Sequence, residues 1–266
     1  MGVVNVTPDS FSDGGKWLDA GTAVRHGLEL VAQGADIVDV GGESTRPGAL
    51  RIDAEEELRR IIPVVTGLVG EGVTVSVDTM RADVAERALD AGAGLINDVS
   101  GGRADERMTR VAAASGVPIV LMHWRGHSDG MQKLTQYDDV VKDVIDELGG
   151  QVDEALSAGV RPEQVIIDPG LGFSKTGEQN WTVLANLDAF TALGYPLLVA
   201  ASRKRFLGEL LSDDVGELRP TDQREAATTA ISTLAAQAGA WCVRVHEPAA
   251  TADAVRVVAR LAEESS

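Results

Sequence analysis

The feature that most constrains this chain is an alternation repeated eight times: a short, almost continuously apolar run, then a longer segment with helical periodicity. The runs are Val3–Val6, Ile37–Val40, Val73–Val77, Gly94–Ile96, Pro118–Leu121, Val165–Ile167, Pro196–Ala200 and Ala240–Val245. Short, apolar and rich in β-branched residues, they read as strands buried on both faces. The helical segments are Ala20–Gln33, Asp53–Gly70, Ala82–Ala91, Glu106–Ser115, Asp138–Ser157, Trp181–Leu193, Thr221–Ala238 and Ala249–Glu263, with a short additional helix over Lys204–Leu211. Gly34, Gly92, Gly116, Gly159, Gly194 and Gly239 stand where a left-handed residue would stop a helix. Strands alternating with helices imply a parallel sheet. Eight such units imply that the sheet closes, so the expected fold is α/β, a single (β/α)8 TIM barrel forming one domain over 1–266. The alternative is an open doubly wound sheet, and it is weakened because no G-x-G-x-x-G phosphate loop follows the first strand.

Charge narrows the partners. The chain carries 24 Lys and Arg against 41 Asp and Glu, a formal net charge of -17. Such a field repels nucleic acid and anionic membrane surfaces. An anionic substrate would therefore need a local cationic site strong enough to overcome it. The one cysteine, Cys242, excludes an internal disulfide and reads as a packing thiol within an apolar run. No apolar stretch reaches the length of a membrane helix, and the first residues lack a basic signal-type region, so a cytoplasmic location is expected.

In a (β/α)8 barrel the chemistry gathers at the C-terminal ends of the strands. Here those ends carry Asn5, Gly41-Gly42-Glu43-Ser44-Thr45-Arg46-Pro47, Asp78-Thr79, Asn97-Asp98, Met122-His123, Asp168-Pro169-Gly170, Ser202-Arg203-Lys204 and Arg244-Val245-His246. Taken singly, each has a plain explanation. A strand-end Asp usually caps the next helix, which suits Asp9 and Asp98. His26 falls in a helical pattern and reads as surface, His127 in a loop says little, and His123 is open between packing and substrate contact. The four histidines and the cysteine have no zinc-site spacing. Eight polar sets converging on one rim are harder to explain as caps. Lys204, Arg244 and His246, on adjacent strands, suit phosphate oxygens. Asp78, Asn97 and Asp168 suit the donor–acceptor edge of a flat heterocycle. Asn5 offers a neutral oxygen to a hard cation such as Mg²⁺, which keeps several waters and bridges substrate phosphates.

The motifs Asn5-Val6-Thr7-Pro8-Asp9-Ser10-Phe11-Ser12-Asp13-Gly14-Gly15, Gly41 through Gly48, Ser76-Val77-Asp78-Thr79, Ile96 through Gly102, Asp168-Pro169-Gly170-Leu171-Gly172-Phe173, Ser202-Arg203-Lys204 and Arg244-Val245-His246 closely resemble those of the dihydropteroate synthases. They run in order from residue 2 to 246. The resemblance implies a transferase that joins a pterin diphosphate to p-aminobenzoate in folate biosynthesis, with Mg²⁺, as a homodimer and a sulfonamide target. It implies that Asp78, Asn97, Asp168 and Lys204 hold the pterin, that Asp78, Asn97 and Lys204 also serve catalysis, and that Asn5 serves the Mg²⁺–diphosphate site. It assigns Arg244 and His246 to the diphosphate, and Phe11, Thr45, Arg46, Pro47 and Phe173 to p-aminobenzoate. Two positions depart from the family pattern: Arg205 where many members have Ser, and Trp124 where many have Met.

Diphosphate departure needs positive charge at the phosphates and tolerance of a cation on the ring, whereas an arylamine is neutral and needs no strong base. That explains a rim of binding groups with no obvious catalytic base. Two rival readings are a methyltetrahydrofolate-dependent methyltransferase, which would not need the Arg244/His246 pair, and a non-catalytic paralogue that binds pterin or phosphate without turnover.

Overall fold

The computed structural model describes residues 1–7, 19–44, 51–126 and 134–264. Strands β1 (Gly2–Asn5), β2 (Val38–Gly41), β3 (Val75–Asp78), β4 (Leu95–Asp98), β5 (Ile119–Met122) and β6 (Val165–Asp168) pair in sequence order, all parallel. The two-residue strands β7 (Leu198–Val199) and β8 (Cys242–Val243) pair with each other. Single parallel bridges, Ile167 with Leu197 and Gly2 with Val245, join β6 to β7 and β8 to β1. The second is held by Val3 N–H to the Val245 carbonyl at 3.2 Å and Val245 N–H to the Met1 carbonyl at 3.0 Å. The sheet is thus a closed barrel, as expected, and the open-sheet alternative falls.

Register and the two-residue side-chain period sort each strand into an outer and an inner set. The row Val4, Val40, Val77, Ile96, Ile119, Val165 is continuous across six strands. It faces outward and packs with helix residues such as Leu30, Ile61, Leu68 and Leu148 in the main core. A smaller cluster fills the barrel interior: Met1, Leu95, Val120, Ile166, Leu198 and Ala200. One row higher, Asn5, Gly41, Asp78 and Asn97 are register neighbours. This inner row is polar or bare over β1 to β4 and turns apolar over β5 and β6, where Val120 and Ile166 continue it, so the site begins on the β1–β4 side.

The helices among the described residues are α1 (Ala20–Ala32), α2 (Ala54–Gly70), α3 (Ala82–Asp90), α4 (Met108–Ser115), α5 (Val140–Ser157), α6 (Gly177–Leu184), α7 (Leu187–Thr191), α8 (Arg205–Leu210), α9 (Glu225–Gln237) and α10 (Pro248–Glu264). Asp53 caps α2 by accepting from the Glu56 N–H at 2.8 Å, while Asp139 rather than Asp138 caps α5. Two expected helices are drawn differently. Trp181–Leu193 is two helices, with α6 starting earlier at a Thr176/Gln179 capping box and ending where the Asn186 side chain takes the Thr182 carbonyl. Thr221–Ala238 opens with a single 3-10 turn over Thr221–Gln223 and is α-helical only from Glu225. Arg224 is buried and donates to the carbonyls of Arg219 and Arg203, both at 2.8 Å, which fixes the preceding residues as a turn. Cys242 is half-buried against the inner cluster, and burial raises its thiol pKa.

Leu68 is fully buried where α2 crosses α1, and its side chain fills the space left by Gly27, where an added Cβ would lie 2.7 Å from Leu68 Cδ2. Leu68→Ala should lower unfolding stability by about 2–5 kcal/mol, read as a fall in urea midpoint at constant m.

Candidate active site

The polar inner row ends in a buried charge cluster. Arg244, just past β8, donates from Nε to Asp39 Oδ2 at 2.6 Å and from Nη2 to Asp78 Oδ2 at 2.8 Å. Asn97 donates its amide to the same Asp39 oxygen at 2.9 Å. β2, β3, β4 and β8 thus meet at one point. Burial pushes the Asp78 carboxyl up to about 7, against the pull of Arg244, with Asp39, Glu57 and Asp98 adding to the rise. Asn5 flanks Asp78 across Gly41. A Cβ added at Gly41 would lie 3.4 Å from Asp78 Cβ and 3.5 Å from Asn5 Oδ1, so the bare backbone keeps a gap open between the amide oxygen and the carboxylate.

Across the mouth, Asp168 is buried and accepts from the Gly170 N–H at 2.7 Å. Burial raises its carboxyl pKa, opposed by Lys204. Lys204 donates to the Leu171 carbonyl, and its ammonium stands 4.9 Å from the Phe173 ring centroid. Burial lowers the Lys204 pKa to about 8. Ser202 Oγ lies 2.9 Å from His246 Nδ1 and accepts from the His246 N–H at 3.2 Å, joining the ends of β7 and β8. Arg203, at φ 59, lies between them and pairs with Glu225 and Glu247. Such a left-handed residue other than glycine needs its surroundings to hold it, and here two carboxylates do so.

Of the residues expected from sequence, Asp78, Asn97 and Arg244 come together, Asn5 stands beside them, and Asp168, Lys204 and Phe173 form a second group. Phe11, Thr45, Arg46 and Pro47, with His127, lie outside the described residues. The flanks of 45–50 are anchored: Glu43 accepts from Arg51 at 3.1 Å, from the Ile52 N–H at 3.3 Å and from Arg81 at 2.8 Å. Arg81 in turn pairs with the buried Glu57. Asp98 caps no helix. It accepts from the Ser100 N–H and hydroxyl and from the Gly102 N–H, closing the turn after β4. Arg205 faces outward and pairs with Glu209 at 2.8 Å. An open surface cavity of about 380 Å³ beside Trp181, Phe206 and Leu210 lies between α6 and α8, outside the barrel mouth.

Sequence reasoning missed Asp39. Its signal was a lone carboxylate inside Ile37–Val40, a strand otherwise apolar, at an inner position two residues before Gly41. It also missed Lys175. His123 is fully buried: Nδ1 accepts from the Lys175 ammonium at 3.0 Å, and Nε2 meets Glu147 at 2.9 Å. The even choice between packing and substrate contact therefore resolves toward a supporting role.

These features define a class: a (β/α)8 enzyme whose mouth pairs a buried carboxylate–amide–guanidinium cluster with an opposing carboxylate–lysine group. Comparison with known proteins narrows it. The sequence matches the family described as "Pterin binding enzyme" over residues 1–246. It is 56% identical over 259 residues to the dihydropteroate synthase of Mycobacterium leprae, covering 97% of this chain and 91% of that protein. It superposes on a Yersinia pestis dihydropteroate synthase crystallised with a sulfonamide drug at a TM-score of 0.92, with 38% identity, 100% of this chain and 94% of that one covered. For the Xanthomonas albilineans enzyme in complex with 7,8-dihydropteroate the TM-score is 0.86, at 42% identity, covering 98% and 92% of the two chains. The chain belongs to the pterin-binding enzyme family and, within it, to the dihydropteroate synthases.

Two outcomes follow for the cluster and its support. Asp39→Ala leaves Arg244 and Asn97 without a shared acceptor and should cost about 3–5 kcal/mol of stability, the usual penalty for breaking a buried ion pair. Burial lowers the His123 pKa from 6.5 to about 4. Between those values the unfolded chain binds the extra proton, so stability falls as pH drops through this window. His123→Phe should flatten that part of the pH–stability curve, measured by thermal unfolding; an unchanged slope would mean that another group titrates there.

Proposed function

We propose that the whole chain, 1–266, acts as one barrel domain that condenses 6-hydroxymethyl-7,8-dihydropterin diphosphate with p-aminobenzoate, giving 7,8-dihydropteroate and diphosphate. The observation that carries this reading is the division of the mouth. Carboxylates and an amide suited to the pterin edge (Asp78, Asn97, Asp168) stand next to cations suited to a departing diphosphate (Lys204, Arg244, with His246 alongside). Asp78, Asn97, Asp168 and Lys204 hold the ring. Arg244 and His246 take the diphosphate, and Phe173, with Phe11, Thr45, Arg46 and Pro47, forms the aminobenzoate side, where sulfonamides compete.

The bond between the pterin methylene carbon and the diphosphate oxygen breaks, and the arylamine nitrogen bonds to that carbon and loses a proton. Arg244, Lys204 and His246 offset negative charge gathering on the leaving diphosphate. Asp78, held beside the ring by Arg244, favours positive charge on the pterin. The free arylamine already presents its lone pair, so positioning supplies most of the acceleration.

Asn5 and the gap kept open by Gly41 fit a single-residue foothold for Mg²⁺, whose remaining ligands would be water and diphosphate oxygens. When bound, Mg²⁺ supplies charge neutralisation at the diphosphate. The packed helices α9 and α10 carry the exposed apolar side chains Leu234, Val257 and Leu261, which suit a homodimer contact. No helix among the described residues is long and apolar enough to cross a membrane; the cytoplasmic location expected from sequence stands as part of this proposal.

The test is dihydropteroate formation with Mg²⁺ or EDTA, alongside Arg244→Ala. Product that needs Mg²⁺ and falls about a hundredfold in the variant supports the synthase and the diphosphate role together. Tight pterin diphosphate binding without product would instead mean a non-catalytic paralogue. Asp78→Asn should lower kcat more than it weakens pterin affinity; equal losses would remove its role in stabilising positive charge.

A further inference from the structure

The buried ammonium of Lys175 has no part in the proposed reaction. Lys175 is 3% exposed and lies at the barrel end of the turn that follows β6. Its ammonium meets three acceptors: His123 Nδ1 at 3.0 Å, the Gly170 carbonyl at 3.2 Å and the Phe173 carbonyl at 3.3 Å. Three N–H donors thus meet three acceptors, and no donor is left over. This arrangement sets the tautomer of its partner. His123 Nδ1 accepts, so Nε2 carries the proton and donates it to Glu147 at 2.9 Å.

The backbone directs Lys175 inward. Ser174 is buried with φ 49, a left-handed conformation that serine rarely adopts, and this turns the next side chain toward the barrel. Tyr137 locks it by donating its hydroxyl to the Ser174 carbonyl at 2.9 Å. Arg125 lies 3.8 Å over the Tyr137 ring and also pairs with Glu147. Arg125 therefore reaches the 174–175 segment by two routes, one through Tyr137 and one through Glu147 and His123. A lysine that served only to fill space would not need both.

We propose that Lys175 is a positioning residue for the pterin end of the site: it clamps the Gly170–Phe173 turn by its two carbonyls and supplies the buried positive charge behind the Asp168 carboxylate. The proposal rests on the reading of Asp168 and Lys204 as pterin-binding groups. The turn also carries the Leu171 carbonyl that receives Lys204 and the ring that Lys204 faces, so the clamp sets the place of both. The charged groups facing Lys175 are Asp168 on β6, Glu147 on α5, Arg125 after β5 and Lys204 after β7, with the neutral His123 on its third donor. Burial lowers the Lys175 pKa to about 7, with Asp168 opposing the fall. Its charge is thus present below that point and fades as pH rises through it.

The test compares pterin diphosphate affinity by titration calorimetry from roughly pH 6 to 9 in the wild type, Lys175→Met, His123→Gln and Asp168→Asn. Ionisation of the free ligand is common to wild type and Lys175→Met and cancels in their ratio. Lys175→Met should bind about tenfold more weakly at the acid end, and the gap should close as the wild-type lysine loses its proton. A gap that stays constant with pH, or no gap in a folded variant, overturns the proposal and leaves Lys175 a packing residue. If Lys175→Met does not fold, His123→Gln decides. It should weaken pterin binding about threefold, and wild-type affinity would overturn the clamp. Asp168→Asn binding pterin as tightly as wild type would instead overturn the site assignment beneath the proposal.

Discussion

The guanidinium of Arg244 is the contact on which the mouth of the barrel depends. It leaves the end of β8 and reaches the carboxylates of β2 and β3, residues more than 160 positions away in the chain. No other group described in the mouth spans the closure of the sheet in this way. Removing two carboxylates and a guanidinium from water costs several kcal/mol per ion unless they satisfy one another. Asp39 and Asn97 complete that mutual satisfaction, and Asp78 is left at the rim, 11% exposed, able to face a ligand. The arrangement gives fixed dipoles and charges at the place where charge would separate, which is the form of pre-organisation that electrostatic catalysis needs.

Much of this was legible in the sequence because barrels place chemistry by a rule. Once eight apolar runs were recognised, the polar residues at or just past their ends were candidates, and Asn5, Asp78, Asn97, Asp168, Lys204 and Arg244 were all reached that way. Asp39 escaped because the end of its strand was read at Gly41 and beyond, and its role appears only when Arg244 from the far end of the chain arrives beside it. Lys175 escaped for a related reason. A lysine before a helix reads as surface, and only the left-handed Ser174 turns it inward. Helix breaks at Asn186 and Arg224 were misplaced because local side-chain to backbone hydrogen bonds, not periodicity, ended those segments.

The chain's acidity and its site pull in opposite directions. A net charge of -17 disfavours any anion at a distance. Within the mouth, Lys204, Arg244 and Lys175 lie close together, each screened from water and each balanced by a carboxylate already in place. The low local dielectric strengthens these short-range attractions while the surface field decays over about 8 Å at physiological salt. Discrimination for an anionic substrate therefore operates at contact rather than at approach.

The seam of the barrel has a further consequence. β7 and β8 are two residues each, and single bridges join them to β6 and β1. Backbone pairing is thin here, and side chains take its place: Arg244 to Asp39 and Asp78, Arg203 to Glu225 and Glu247, Ser202 to His246. The groups that would grip a substrate are the same ones that weld the sheet shut. A ligand laid across them therefore acts as a missing rung, so occupancy of the mouth and cohesion of the barrel are two readings of one equilibrium.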